Sequence, residues 1–346
     1  MAARPGGQRA RPGDPGGPRR GLRGPRVPPL RPEGCVSAAV ELRGVVKRYR
    51  RTRALDGLDL RVPRGTLVGL VGPNGAGKTT TFGIISGVLE PDEGTVDVLG
   101  SGPFHPRAQA GALGVLPQDC ALNPHSSARQ LLTFFGRLQG LTRAEATREA
   151  DRLLDELRLG DRATSRVGEL SHGMKRRLAV AQALVGDPRL VLLDEPTGGL
   201  DPHLVVEMRE LLLREKRRRT LVVSSHILSD LERTCDEIAF LEAGRCVRAE
   251  PVETLRLASR RIRIRLAGPA ERAKLAAVFG DRPFDLDGDS LSYELAEDEA
   301  PRETAPAVLA ALVAAGVPVL EVSVGGSLEE AYLAAREAVR RDPGRR

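Results

Sequence analysis

The sequence predicts an α/β fold organised on a parallel sheet, followed by a smaller α+β region. Two observations carry that expectation. The runs Leu67 to Val71, Leu190 to Leu193 and Thr220 to Ser224 are continuously apolar or β-branched, as strands covered on both faces must be. Helical segments separate them: a glycine-rich turn opens the helix after the first run, and a helix from about His203 to Lys216 joins the other two, the strand-helix-strand rhythm of a parallel sheet.

In chain order, Val40 to Val46 and Leu58 to Val62 read as β-rich runs, and Lys78 to Val88 as the helix after the Leu67 strand. A helical stretch follows at about 127 to 185, where Leu131, Leu132, Phe134, Phe135 and Leu138 recur at helical spacing and Thr142 with Glu145 makes a capping box. The first folded domain is expected to span 37–250, with a helical subdomain at about 119–180. Beyond Pro251, residues 251–346 form a small accessory α+β domain: strands at Ile262 to Leu266, Leu291 to Leu295 and Val317 to Val324, and a helix near Ala270 to Phe279. Arg260, Arg261, Arg263 and Arg265 alternate with apolar residues and read as a solvated strand face.

Composition narrows the function. A length of 346 residues fits two domains, and 41% apolar residues suffice for a buried core. The net charge of +7 is concentrated in residues 1–36, where eight Arg face only Asp14 and Glu33, so the folded body is nearly neutral and no nucleic-acid face is expected. The same 36 residues hold eight Pro and eight Gly and read as a disordered tail. Cys35, Cys120, Cys235 and Cys246 are scattered without metal-ligand spacing and read as reduced thiols. The longest uncharged apolar stretch, Ala305 to Leu320, is shorter than the ~20 residues of a membrane span and is broken by Pro306, Gly316 and Pro318. No secretory signal is apparent at the N-terminus, so a cytoplasmic location is expected.

Gly72, Pro73, Asn74, Gly75, Ala76, Gly77, Lys78, Thr79 and Thr80 fit G-x-x-x-x-G-K-[ST] between a strand and a helix. Backbone N–H groups of such a loop turn inward on phosphates, the helix N-terminus adds its positive end, Lys78 supplies a point charge for β/γ oxygens, and Thr79 offers a hydroxyl to Mg²⁺. The strand Leu190 to Leu193 runs into Asp194 and Glu195, two carboxylates at the strand end where open α/β sheets bind ligands. Asp194 suits a Mg²⁺ sphere, and Glu195 can deprotonate an attacking water.

These residues, with others in the same order, resemble the nucleotide-binding subunits of ABC transporters over about Val40 to Glu250. Beside the Walker A and Walker B runs, Gln118 matches the Q-loop, Leu170-Ser171-His172-Gly173-Met174 the signature, Gly199-Leu200-Asp201 the D-loop and His226 the H-loop; Tyr49 sits where the family stacks an aromatic on adenine. The signature departs from Leu-Ser-Gly-Gly-Gln at His172 and Met174 but keeps Ser171 and Gly173. The resemblance implies a P-loop NTPase of ABC type: a RecA-like core with antiparallel β and helical subdomains. It further implies ATP and Mg²⁺ as cofactors, with Gln118 joining Thr79 and Asp194 at the metal, His226 at the γ-phosphate, and Ser171, Gly173 and Asp201 completing the ATP site. Two subunits, a homodimer by expectation, would close around two Mg·ATP to drive a separate membrane permease, with the chain peripheral on the inner face of the membrane. Gly326-Ser327-Leu328-Glu329-Glu330-Ala331-Tyr332 resembles the closing segment of drug-export and ABC-2-type ATPase subunits, and reads equally as a capped amphipathic helix. The competing function is a soluble ABC ATPase clamping ribosomes or DNA; a P-loop kinase or GTPase fails on the signature and His226.

Overall fold

In the computed structural model, which describes residues 38–258, 261–280, 282–296, 299–325 and 328–341, the first β-rich runs form an antiparallel sheet. Strand β1 (Ala38–Tyr49) pairs with β2 (Thr52–Pro63). The chain then enters the central sheet as β3 (Leu67–Val71), passes the glycine loop into α1 (Lys78–Ile85), and returns as β4 (Glu93–Val98) on the other side of β1. Helix α1 stops at Ile85, short of the expected Val88, because Gly87 at φ +69° reverses the chain: its N–H bonds Ile84 O and the N–H of Val88 bonds Gly83 O. The tail before residue 37, Arg260, and Gly326 and Ser327 of the closing segment lie outside the described residues.

After β5 (Leu113–Leu116) come α2 (Ala128–Leu138), α3 (Arg143–Glu156) and α4 (His172–Leu184). Capping boxes open α2 at Ser127–Gln130 and α3 at Thr142–Glu145, while the Ser171 hydroxyl caps α4 by accepting from Met174 N–H. The apolar spacing read for α2 divides in two: Leu131 and Leu132 enter the core, whereas Phe134 and Leu138 are 57% and 60% exposed.

The chain continues through β6 (Leu190–Asp194), α5 (Pro202–Glu215), β7 (Thr220–Ser225), α6 (Leu228–Glu232), β8 (Glu237–Glu242), β9 (Arg245–Pro251) and α7 (Val252–Ala258). The central sheet runs β5-β6-β7-β3-β8-β9, parallel except for β9, which is antiparallel to β8. Its continuous apolar strands serve two cores. Val68, Leu70, Leu190, Leu192 and Val222 pack with α1 and the antiparallel sheet, while Leu67, Val71, Val191, Leu193 and Leu221 pack with the helices on the opposite face.

A third sheet follows over β10 (Arg261–Leu266), α8 (Arg272–Phe279), β11 (Phe284–Asp287), β12 (Ser290–Glu294), α9 (Pro301–Ala314) and β13 (Val319–Val324), in strand order β11-β12-β10-β13. It has its own core around Ile262, Ile264, Phe279 and Tyr293. The outward arginines of β10 are paired: Arg263 with Glu330 and Arg265 with Glu321. The last helix, α10 (Leu328–Arg341), turns back to the first core. Leu328 and Ala331 are buried there, the Tyr332 ring lies 5.5 Å from Phe240, and Arg336 holds both carboxylate oxygens of Glu242 at 3.1 Å. No helix among the described residues is long and apolar enough to cross a membrane.

Candidate active site

Strand order decides what meets at the carboxyl edge of the central sheet. β7 lies between β3 and β6, all three run parallel, and so the glycine loop after β3, Asp194 and Glu195 after β6, and His226 after β7 emerge side by side.

Lys78, 8% exposed, donates to Gly72 O at 2.7 Å and Pro73 O at 3.2 Å, closing the loop on its own lysine. Pro73 O also accepts from Ala76 N–H. Gly77 has φ +105°, and a Cβ there would meet Ala54 O at 2.8 Å and Leu55 Cδ2 at 2.7 Å. A G77A substitution is therefore expected to combine backbone strain with a clash against the β2 chain, costing about 1–3 kcal/mol of stability. Thermal unfolding with and without nucleotide checks this, and an unchanged Tm refutes it.

The carboxylate of Asp194, 2% exposed, accepts from Thr79 Oγ1 at 2.9 Å and from the Ser224 hydroxyl. A hydroxyl and a carboxylate at hydrogen-bond distance form the hard oxygen pair that Mg²⁺ takes. Glu195 stands in the left-handed region at φ +53°, unusual for a side-chain-bearing residue and worth about 1–3 kcal/mol of strain at sites where it is kept. Its N–H donates to Ser224 O and Oγ, its carbonyl accepts from Gly198 N–H, and its Oε2 lies 2.9 Å from His226 Nδ1. Oε1 has no hydrogen-bond partner among the described residues and is available to a water.

The remaining predicted residues are placed around this cluster. Gln118 is exposed just after β5, and its carbonyl accepts from Arg176 at 3.4 Å. Tyr49 is 43% exposed at the end of β1, as a stacking platform must be. Asp201 precedes α5 without a side-chain capping bond. The signature and D-loop segments touch within one chain: the His172 ring covers Gly199, and Leu204 packs over Gly173. No hydrogen bond joins Tyr49, Ser171, Gly173 or Asp201 to the Lys78–Asp194–Glu195 cluster among the described residues.

Comparison with known proteins decides the family. The ABC transporter family model matches residues 55–198. Nod factor export ATP-binding protein I of Rhizobium meliloti is 42% identical over 231 residues, 65% of this chain and 68% of that protein. The protein of the same name from Paraburkholderia xenovorans is 42% identical over 213 residues, 60% and 69% of the two chains. The chain belongs to the ATP-binding subunits of ABC transporters. Solved structures agree with this: an ATP binding subunit of an ABC transporter superposes with TM-score 0.57 at 29% identity, covering 63% of this chain and 91% of that one. A dimeric ATP-binding cassette in a post-hydrolysis state with ADP and Pi superposes with TM-score 0.58 at 25% identity, covering 62% and 98%.

This ABC ATPase binds and hydrolyses ATP on the P-loop core. Two further residues contribute to this site without belonging to its motifs. Ser224 ends the apolar run and opens Ser224-Ser225-His226 without a role of its own in the sequence, yet it contacts both Asp194 and Glu195. Arg176 lies between Lys175 and Arg177 on α4, just past the signature, and its guanidinium reaches the carbonyls of Asp194 and Glu195. Short polar residues at a parallel strand's carboxyl end, next to the strand carrying the acidic pair, were the available signal for Ser224. Nothing in the spacing of Lys175, Arg176 and Arg177 distinguished the middle one.

Proposed function

We propose that the chain is the motor subunit of an exporter, working as a homodimer around two Mg·ATP and driving a separate membrane permease. The observation that carries this reading is the meeting, at one sheet edge, of the closed phosphate loop with Lys78, the Thr79–Asp194 pair and the Glu195–His226 pair. The loop from Gly72 to Thr80 takes the phosphates on its N–H groups, and Tyr49 stacks on the adenine. Thr79 and Asp194, with Gln118 by resemblance, would hold Mg²⁺, which would supply charge neutralisation for the phosphates. Glu195 takes the proton of the attacking water through Oε1, while His226, held at Nδ1, leaves Nε2 for a γ-phosphate oxygen. Ser171, Gly173 and Asp201 serve the nucleotide of the opposite subunit.

Export follows the names of the relatives, which are export ATP-binding proteins and give the ribosome or DNA clamp no support. The permease is expected to dock where the helical segment leaves apolar surface open. A groove of about 350 Å³ lies just past Gln118, lined by Leu122, Leu131, Phe134 and Phe135, with Phe134 exposed at its rim. Such a groove fits an amphipathic cytoplasmic segment of the permease, which would place the chain on the inner face of the membrane. The domain plan we infer is an ATPase domain at 37–250 with its helical subdomain at about 119–180, followed by an accessory domain at 251–346 whose helices α7 and α10 pack on the ATPase core.

Affinity capture of tagged E195Q protein with ATP from detergent-solubilised membranes tests this. A co-purifying polytopic membrane protein is the expected result; ribosomes or DNA without one would move the chain to the clamp class. F134E is expected to abolish co-purification while leaving the ATPase rate of the isolated subunit unchanged. A permease that still binds the F134E protein would refute the groove.

A further inference from the structure

Arg176 stands on α4 five residues after Ser171 and makes contacts that neither packing nor charge pairing explains. Its Nη2 donates to Asp194 O at 2.8 Å and to Glu195 O, and its Nη1 to Gln118 O at 3.4 Å. No carboxylate forms an ion pair with it among the described residues, although two are close: Asp194 is taken by Thr79 and Ser224, and Glu195 by His226. Its buried Nε has no hydrogen-bond partner, and burial holds the guanidinium below its usual pKa. A half-buried cation bonded to three backbone carbonyls fixes the orientation of peptides without drawing the neighbouring carboxylates away from Thr79, Ser224 and His226.

The peptide it grips most closely is the one at φ +53°. The Glu195 carbonyl is held by Arg176 on one side and Gly198 N–H on the other. Without the guanidinium that peptide has one anchor fewer against relaxation out of the left-handed region, a rotation that swings the carboxylate away from His226.

We propose that Arg176 is a positioning residue that ties the signature helix to the general base, so that closure on one nucleotide sets the geometry of hydrolysis at the other. The inference rests on the proposed roles of Glu195 and Ser171. The N-terminal end of α4 meets the partner's nucleotide, Glu195 acts on its own, and a single 13-residue helix carries both the cap and the arginine. A displacement of α4 on dimer closure therefore reaches the Glu195 carbonyl through one side chain.

The test uses the full chain as R176M, R176K and E195Q, with steady-state ATPase against ATP concentration, binding of a fluorescent ATP analogue, and Tm. In R176M, kcat is expected to fall at least about tenfold, since small misplacements of a catalytic group cost that much or more. KM and the analogue Kd should stay within about twofold, the split that marks loss of an interaction serving turnover alone. The Hill coefficient should fall towards one, and R176K, which keeps the charge but reaches fewer carbonyls, should lie between R176M and the parent in kcat and Hill coefficient. Parent-like kcat in both variants while E195Q is inactive overturns this inference alone; so does a loss of nucleotide affinity as large as the loss of kcat. Hydrolysis persisting in E195Q overturns the base assignment and with it the route through Glu195. Should R176M fail to fold, R176K decides: lowered kcat at unchanged Kd supports the coupling, and parent-like kcat refutes it.

Discussion

Replacing Glu195 with Gln is expected to stop ATP turnover while leaving ATP bound and the dimer closed. The change is isosteric, so the left-handed backbone, the N–H bonds it donates to Ser224 and the bond its carbonyl accepts from Gly198 are kept, and the amide oxygen can still accept from His226 Nδ1. What disappears is a carboxylate oxygen able to accept a proton from water. General-base contributions of this kind are typically about 10²–10⁴-fold in rate. The phosphates are held by the loop and Lys78, none of which the substitution touches, so nucleotide affinity should hold. Single-turnover hydrolysis alongside equilibrium ATP binding measures both halves, and unchanged hydrolysis would remove Glu195 from the role of base.

Lys78 carries the second large effect, at the binding step. Two of the three ammonium protons are committed to Gly72 O and Pro73 O, so the side chain organises the loop and still has one proton for a phosphate oxygen. K78M removes the charge and strands the Gly72 carbonyl in a pocket where the lysine was 8% exposed, while Pro73 O keeps its bond from Ala76 N–H. K78R keeps the charge, but a planar fork cannot reproduce a compact ammonium enclosed by its own loop. Both variants are expected to bind ATP at least about a hundredfold more weakly, from loss of a charge-assisted hydrogen bond together with disorder in the loop. Isothermal titration with ATP decides it, and parent-like affinity in K78R would show that charge alone is what the loop requires.

The parallel core and its chemistry were legible because burial on both faces removes polar alternation from a strand, and because the phosphate loop has to follow such a strand directly. The order of strands was not legible. That β7 lies between β3 and β6, which brings His226 to Glu195, is a tertiary fact with no local signal. The edge and short strands were also obscure: β4 is largely exposed over Glu93, Gly94 and Thr95, and β5 has only four residues. Phe134 and Leu138 show the opposite error, since helical spacing marks a face without saying whether this chain covers it. Arg176 was hidden because a cation bonded to backbone carbonyls leaves no partner residue in the sequence to pair with it.

The return of α10 to the first core sets an order of events during synthesis. Chains emerge from the ribosome N-terminus first, and domains generally fold as they emerge. Here the side chains that cover Phe240 and hold Glu242 belong to residues 328–336, far downstream of the strand they complete. Two residues beyond Glu242, Gly244 donates its N–H to Ala76 O of the phosphate loop. The catalytic half of the molecule is thus completed by residues synthesised after it, with its β8–β9 hairpin awaiting its counter-ion until α10 is released.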